Sequence, residues 1–123
     1  MERGTQHTLT VTTHEKDGIT FVKIKGSLAS TTAAQGEEEL KKIVDGGATK
    51  VVVNLAELDY IASAGLRVFL LVSKALGKAN GALMISASKG MVREAIETGM
   101  GYGFAPLIRL FNTDEEAIAA FKS

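Results

Sequence analysis

Val51-Val52-Val53-Asn54-Leu55 and, after three intervening residues, Asp59-Tyr60-Ile61-Ala62-Ser63-Ala64-Gly65-Leu66-Arg67-Val68-Phe69-Leu70 decide how this chain folds. The first run is short, apolar and β-branched, which is the pattern of a buried strand. From Ala64 the second run is apolar on most sides. Leu66, Phe69, Leu70, Ser73 and Leu76 share one 3.6-residue stripe of a helix reaching about Ala79, and Asn80-Gly81 ends it. Ser63 stands where the strand-to-helix loop becomes helix. A hydroxyl there is expected to cap the helix, face solvent and lie in a field that favours negative charge. Its Oγ should approach the N–H of Gly65 or Leu66, and Ser63→Ala should cost about 1 kcal/mol. Small Ala62 and Ala64, with Gly65, should leave the hydroxyl open to a close partner. Leu66, Phe69 and Leu70 should be buried against Val51, Val53 and Ile85, so that Leu70→Ala costs about 2–5 kcal/mol.

The flanking sequence alternates strands and helices. Residues 8–14 and 19–25 read as two strands joined at Asp17-Gly18, a strong hairpin signal. Val22 and Ile24 face one way, Phe21 and Lys23 the other, and Gly26 ends the second strand. Residues 27–32 form a polar loop. Residues 33–44 read as a helix with Leu40, Ile43 and Val44 inward, and Glu37–Lys41 and Glu38–Lys42 are i,i+4 pairs on its solvated face. Residues 82–86 form a buried strand. Residues 89–98 form a helix with Val92, Ala95 and Ile96 inward, closed by Gly99. Residues 107–111 form a shorter strand. Thr113-Asp114-Glu115-Glu116 is a capping box opening a last helix that buries Ala117, Ile118 and Phe121. The order β-β-α-β-α-β-α-β-α specifies an α/β domain with a mixed, mostly parallel sheet, an N-terminal β-hairpin and about four helices.

A chain of 123 residues suggests one domain with a real core, and 46% hydrophobic and 23% charged residues fit a globular protein. Lys+Arg and Asp+Glu both number 14, so no global field attracts nucleic acid or anionic lipid. There is no cysteine, which excludes disulfides and thiolate metal sites. The polar start of the chain lacks the apolar segment of a signal peptide, and the apolar runs are too short to span a bilayer. A cytoplasmic protein without membrane insertion is expected.

Other residues support less chemistry. His7 and His14 have no carboxylate at metal-ligand spacing and are read as solvent-facing. The glycine-rich Gly99-Met100-Gly101-Tyr102-Gly103 follows a helix rather than opening one, so it is a helix end and loop, not a phosphate cradle. No Ser-His-Asp set or paired carboxylates can be assembled, which argues against an enzyme. No metal or cofactor is expected.

Ile61-Ala62-Ser63-Ala64-Gly65-Leu66-Arg67-Val68 resembles the signature of STAS domains, the family of anti-sigma factor antagonists. Gly26-Ser27-Leu28-Ala29-Ser30-Thr31-Thr32 is similar to the family's Gly-x-Leu-Asp-x-x-Thr loop, and Val51 to Leu55 to its central strand. The resemblance implies a STAS domain over residues 7–122, with Ser63 on the family's phosphorylated serine. It further implies that the unphosphorylated form binds a serine-kinase anti-sigma factor and frees a sigma factor, that the kinase then phosphorylates Ser63, and that a serine phosphatase resets it. The implied partner surface comprises Ser27, Ala29, Ser30, Thr31, Ile61, Ala62, Ser63, Ala64, Gly65 and Arg67, on a monomer or weak dimer with no direct contact to nucleic acid. Three positions depart from the family pattern. Ala62 stands where Asp or Ser is frequent, and Ala29 and Asn54 stand where Asp is usual. The alternative implied by the family is a non-switching STAS subunit of a transporter or stress-signalling complex. Ser63 in its Gly-Leu-Arg context favours the switch; the absent carboxylates favour the alternative.

Overall fold

Asp17 and Gly18 have φ of 55° and 79°, the tight two-residue turn that an Asp-Gly pair specifies. It joins β1 (Leu9–Lys16) to β2 (Ile19–Leu28), paired antiparallel from Lys16↔Ile19 to Leu9↔Gly26. The other elements are α1 (Ala33–Asp45), β3 (Lys50–Asn54), β4 (Leu58–Ile61), α2 (Ser63–Lys78), β5 (Ala82–Ser86), α3 (Gly90–Met100), β6 (Arg109–Phe111) and α4 (Asp114–Lys122). This computed structural model describes residues 8–100 and 108–122. His7, Leu107 and the Gly101-Tyr102-Gly103 part of the glycine-rich stretch lie outside the described residues.

The sheet runs β1-β2-β3-β5-β6, and every pairing after the hairpin is parallel. The expected mixed α/β sheet with its leading hairpin and four helices is therefore present, with β3 at its centre. Residues 58–61 correct the sequence reading: expected as loop, they form β4. Gly26 does not end β2. The strand bends there, with φ of 108° and a register shift between Gly26 and Ser27, and continues to Leu28. A side chain at Gly26 would collide with the Thr8 carbonyl, so the bend requires glycine. β3 pairs with residues 20–23 of β2, and β4 with residues 26–28. Between them the Leu58 N–H donates to the Leu55 carbonyl at 3.1 Å, and the Gly26 N–H donates to Glu57 O at 3.1 Å. On the same stretch, the Lys23 ammonium hydrogen-bonds the Glu57 carboxylate and, with the charge of Lys25, holds it below the usual carboxylate range.

Alternation along the strands divides the core. Val22, Ile24, Val51, Val53 and Ile85 meet α1, α2 and α3 on one face. Ile19, Phe21, Val52 and Met84 meet Ala117, Ile118 and Phe121 of α4 on the other. His14 is exposed, as expected, and stacks on Phe21 with ring centroids 5.0 Å apart.

The phase of α2 also differs from the expectation. Its buried residues are Gly65, Val68, Phe69, Val72, Ser73 and Leu76. Leu66 and Leu70 lie only partly buried at the margin of the core, and Leu71 is 45% exposed. A helix apolar nearly all round has no unique stripe; contact with α1 as well as the sheet sets its rotation. Its end is a Schellman motif: Asn80 has φ of 61°, Gly81 N–H donates to the Leu76 carbonyl at 2.7 Å, and Asn80 N–H to that of Gly77 at 3.1 Å. Gly99 does not close α3, which continues to Met100. At α4, Glu116 N–H donates to Thr113 Oγ1 at 3.1 Å, but the Glu116 carboxylate accepts from Asn112 N–H at 2.9 Å. The capping box is thus displaced by one residue on its return bond.

Candidate functional site

β4 carries the chain past the end of β3 and delivers Ser63 to the rim at the C-terminal ends of the parallel strands. In open α/β sheets this rim is where ligands and partners find the loops. Ser63 is exposed at the start of α2, as expected. It is not the cap. Ala62 is the N-cap, with φ −103° and ψ 172°, and no side chain makes a cap hydrogen bond. The Ala62 carbonyl accepts from Gly65 N–H at 2.9 Å and Leu66 N–H at 3.1 Å, while Ala62 N–H donates to the Leu28 carbonyl at 2.9 Å. A hydroxyl caps from the position before the first helical residue; Ser63 is the first helical residue, and its Oγ takes no part in holding the fold. The expected approach of Oγ to Gly65 or Leu66 N–H, and the cap energy attached to it, are therefore overturned.

The ten residues of the implied partner surface gather at this rim but differ in access. Ser30, Thr31, Ser63 and Arg67 are exposed; Ser27, Ala62 and Ala64 are half-buried. Ala29, Ile61 and Gly65 are buried, so their side chains shape the site from beneath. Gly65 corrects the reading that it keeps the backbone open: it is the place where α2 presses on Leu28 and Ile61. Ala29 sits in a loop locked by buried Thr32. The Thr32 Oγ1 accepts from Ala29 N–H at 2.8 Å and donates to the Ser27 carbonyl at 2.7 Å. This fixes how Ser30 and Thr31 are presented before α1 begins.

Ser63 lies on the ridge between two shallow grooves. One, of about 370 Å³, runs toward α1 and is lined by Ala33, Ala34, Glu37, Ala64 and Arg67. The other, of about 680 Å³, runs toward α3 and is lined by Tyr60, Leu66, Met91, Glu94 and Thr98. Tyr60 and Met91 are large and 38% and 50% exposed, the kind of apolar surface that marks a contact site. Neither belongs to the partner surface that the resemblance implies. Their signal was faint: a large residue facing outward at a strand end, and another in the first turn of a helix.

Asn54, one of the departures from the family pattern, serves the fold. Its Nδ2 donates to Asp114 Oδ1 at 3.1 Å, and its Oδ1 accepts from Ala56 N–H at 2.9 Å. Ser86, paired with Asn54 across β3 and β5, donates its hydroxyl to the same Asp114 oxygen. The first residue of α4 is thereby fastened to the ends of two strands. An Asp at position 54 would set a second acceptor against Asp114. Asn54→Asp is expected to lower stability by about 1.5–3 kcal/mol, the worth of a hydrogen bond to a charged group; equilibrium urea unfolding checks this. Among the described residues no group of His, Asp and Glu is arranged to hold a metal ion, and no helix is long and apolar enough to cross a membrane.

Comparison with known proteins places this geometry. The family model of the STAS domain matches residues 10–117. A Bordetella bronchiseptica protein named as an anti-sigma factor antagonist, BtrV, is 43% identical over 107 residues, covering 87% of this chain and 90% of its own. The crystal structure of an anti-sigma factor antagonist from Mycobacterium paratuberculosis superposes with a TM-score of 0.82 at 22% identity, covering 94% of this chain and 96% of that one. The Bacillus cell-fate determinant SpoIIAA, solved in its phosphorylated form, shares the fold with a TM-score of 0.66 at 18% identity, over 93% of this chain and 99% of its own. A rim serine at the start of an uncapped helix, on a mixed sheet that a family match covers almost end to end, makes this chain a member of the STAS-domain family of anti-sigma factor antagonists.

Proposed function

We propose that the domain, taken as residues 7–122, is a phosphorylation-controlled binding switch in the cytoplasm. It acts by binding rather than catalysis. Unmodified, its rim engages a serine-kinase anti-sigma factor, which gives up its sigma factor. The kinase then transfers phosphate: Ser63 Oγ attacks the γ-phosphorus of ATP, the bond to the β-phosphate oxygen breaks, and ADP leaves. The hydroxyl proton passes to a base on the kinase. A serine phosphatase later hydrolyses the phosphoester to restore the hydroxyl.

The observation that carries this reading is the Ser63 hydroxyl itself: exposed, at a helix start, and free of any capping duty. Modification therefore disturbs no bond of the fold. A phosphoserine brings a charge of about −1.5 to −2 at pH 7. The helix N-terminus tolerates it within the domain. A partner packed over Ser63, Ala64 and the Tyr60–Met91 groove must desolvate it, which is costly.

The test is a calorimetric titration of wild type, Ser63→Ala and Ser63→Asp against the cognate kinase, with mass spectrometry of the ATP-treated mixture. Ser63→Ala should unfold within about 0.5 kcal/mol of wild type, as expected for a surface change away from any cap. It should bind as wild type does and accept no phosphate. Ser63→Asp should fold but bind at least about tenfold more weakly, or about 1.4 kcal/mol. Equal affinity for all three, with no phosphate on Ser63, would leave a non-switching STAS binding subunit as the better reading.

A further inference from the structure

We propose that phosphorylated Ser63 pairs with Arg67 within the same helix, so that the switch withdraws a cation from the partner surface as well as adding an anion. This rests on the reading of Ser63 as the modified residue. Ser63 and Arg67 are four residues apart on α2 and line the same groove toward α1. Helical side chains lean toward the N-terminus, so the turn that holds Ser63 is within reach of the Arg67 side chain. An anion preceding a cation at i,i+4 is the favourable order, and a guanidinium matches phosphate oxygens two at a time.

Arg67 is exposed and makes no ion pair with any described residue. The first turn of α2 has no acidic residue, in contrast to α4, which has Asp114, Glu115 and Glu116 there. The charged and titratable groups lining the two grooves beside Ser63 are Glu37 of α1, Arg67 of α2, Glu94 of α3 and Tyr60 of β4. Arg67 is the positive one. Each groove holds one carboxylate, Glu37 or Glu94, and only the α1-side groove holds a cation, so the phosphate is drawn toward Arg67. In the unmodified domain Arg67 remains available to an acidic group of the partner.

The experiment uses the whole chain with phosphoserine installed at position 63 by genetic encoding, so no kinase is required. Phosphorus NMR follows the second ionisation of the phosphate, near pH 6 in a free phosphoserine. The Arg67 Nε–Hε signal is followed in parallel in protein labelled with nitrogen-15 arginine. With Arg67 present the ionisation should fall about half a pH unit below that in Arg67→Gln, a modest shift because the pair is exposed. Arg67→Lys should lie between the two, the difference should shrink in 1 M salt, and the Nε–Hε signal should move on phosphorylation. An identical ionisation in wild type and Arg67→Gln, or an unmoved Nε–Hε signal, overturns the pairing while leaving the switch intact. Conversely, if the pairing is seen but the cognate kinase leaves Ser63 unmodified, the functional reading fails and the pairing stands.

Discussion

Phe69→Ala is expected to remove about 3–5 kcal/mol of stability, the usual cost of emptying an aromatic site in a packed core. A domain of this kind has about 5–15 kcal/mol in total, so much of the fold's margin goes with one ring. Phe69 is 1% exposed, in the cluster between α2 and the sheet. Its neighbour Leu70 sits at the margin of that cluster, and Leu70→Ala should cost about 1–2 kcal/mol, well under a full core truncation. Urea unfolding of both variants gives the ranking. A loss from Leu70→Ala equal to or above that from Phe69→Ala would mean that α2 is rotated, with Leu66 and Leu70 inward as the periodicity alone suggests.

That contrast shows where the sequence was legible. The hairpin at Asp17-Gly18, the central β3, the four helices and their order are all readable, because turn chemistry and hydrophobic period agree there. The rotation of α2 is not, since apolar residues lie on nearly every side and only α1 and the sheet choose among them. β4 is missed for a different reason. Leu58-Asp59-Tyr60-Ile61 buries only its two ends, and its pairing depends on β2 passing through the bend at Gly26, a residue that reads as a stop. Ser63 is found at the helix start, but one residue past the cap position expected of it. One residue of offset separates a cap from a first helical residue, and such boundaries are set by backbone geometry that the sequence does not print. The groove residues Tyr60 and Met91 belong to separate elements and meet only in three dimensions. Asn54 reads as a lost carboxylate beside the switch, yet its partner is Asp114, 60 positions away.

Gly65→Val is expected to cost about 3 kcal/mol or more, at or beyond the upper end for overpacking a filled site. A Cβ at position 65 would lie 2.8 Å from Leu28 Cγ, 2.9 Å from Ile61 Cγ1 and 2.9 Å from the Leu28 carbonyl oxygen. Leu28 and Ile61 are themselves buried, at 0% and 4% exposure, and the Leu28 carbonyl already accepts from Ala62 N–H. Leu28 on β2 and Ile61 on β4 are packed in place, so relief of the clash requires α2 to lift away from them. The close approach that needs glycine is therefore between α2 and β2 inside the domain, and it sets the height at which Ser63 stands above the rim. Gly65→Ala separates this from the rival view that the glycine serves a partner. Alanine gains about 1 kcal/mol of helix propensity, so in open space it would stabilise. Here the clash should outweigh that gain, and Gly65→Ala should melt below wild type. A Gly65→Ala domain as stable as wild type but unable to bind the proposed kinase partner would reverse the conclusion and assign the missing side chain to the interface.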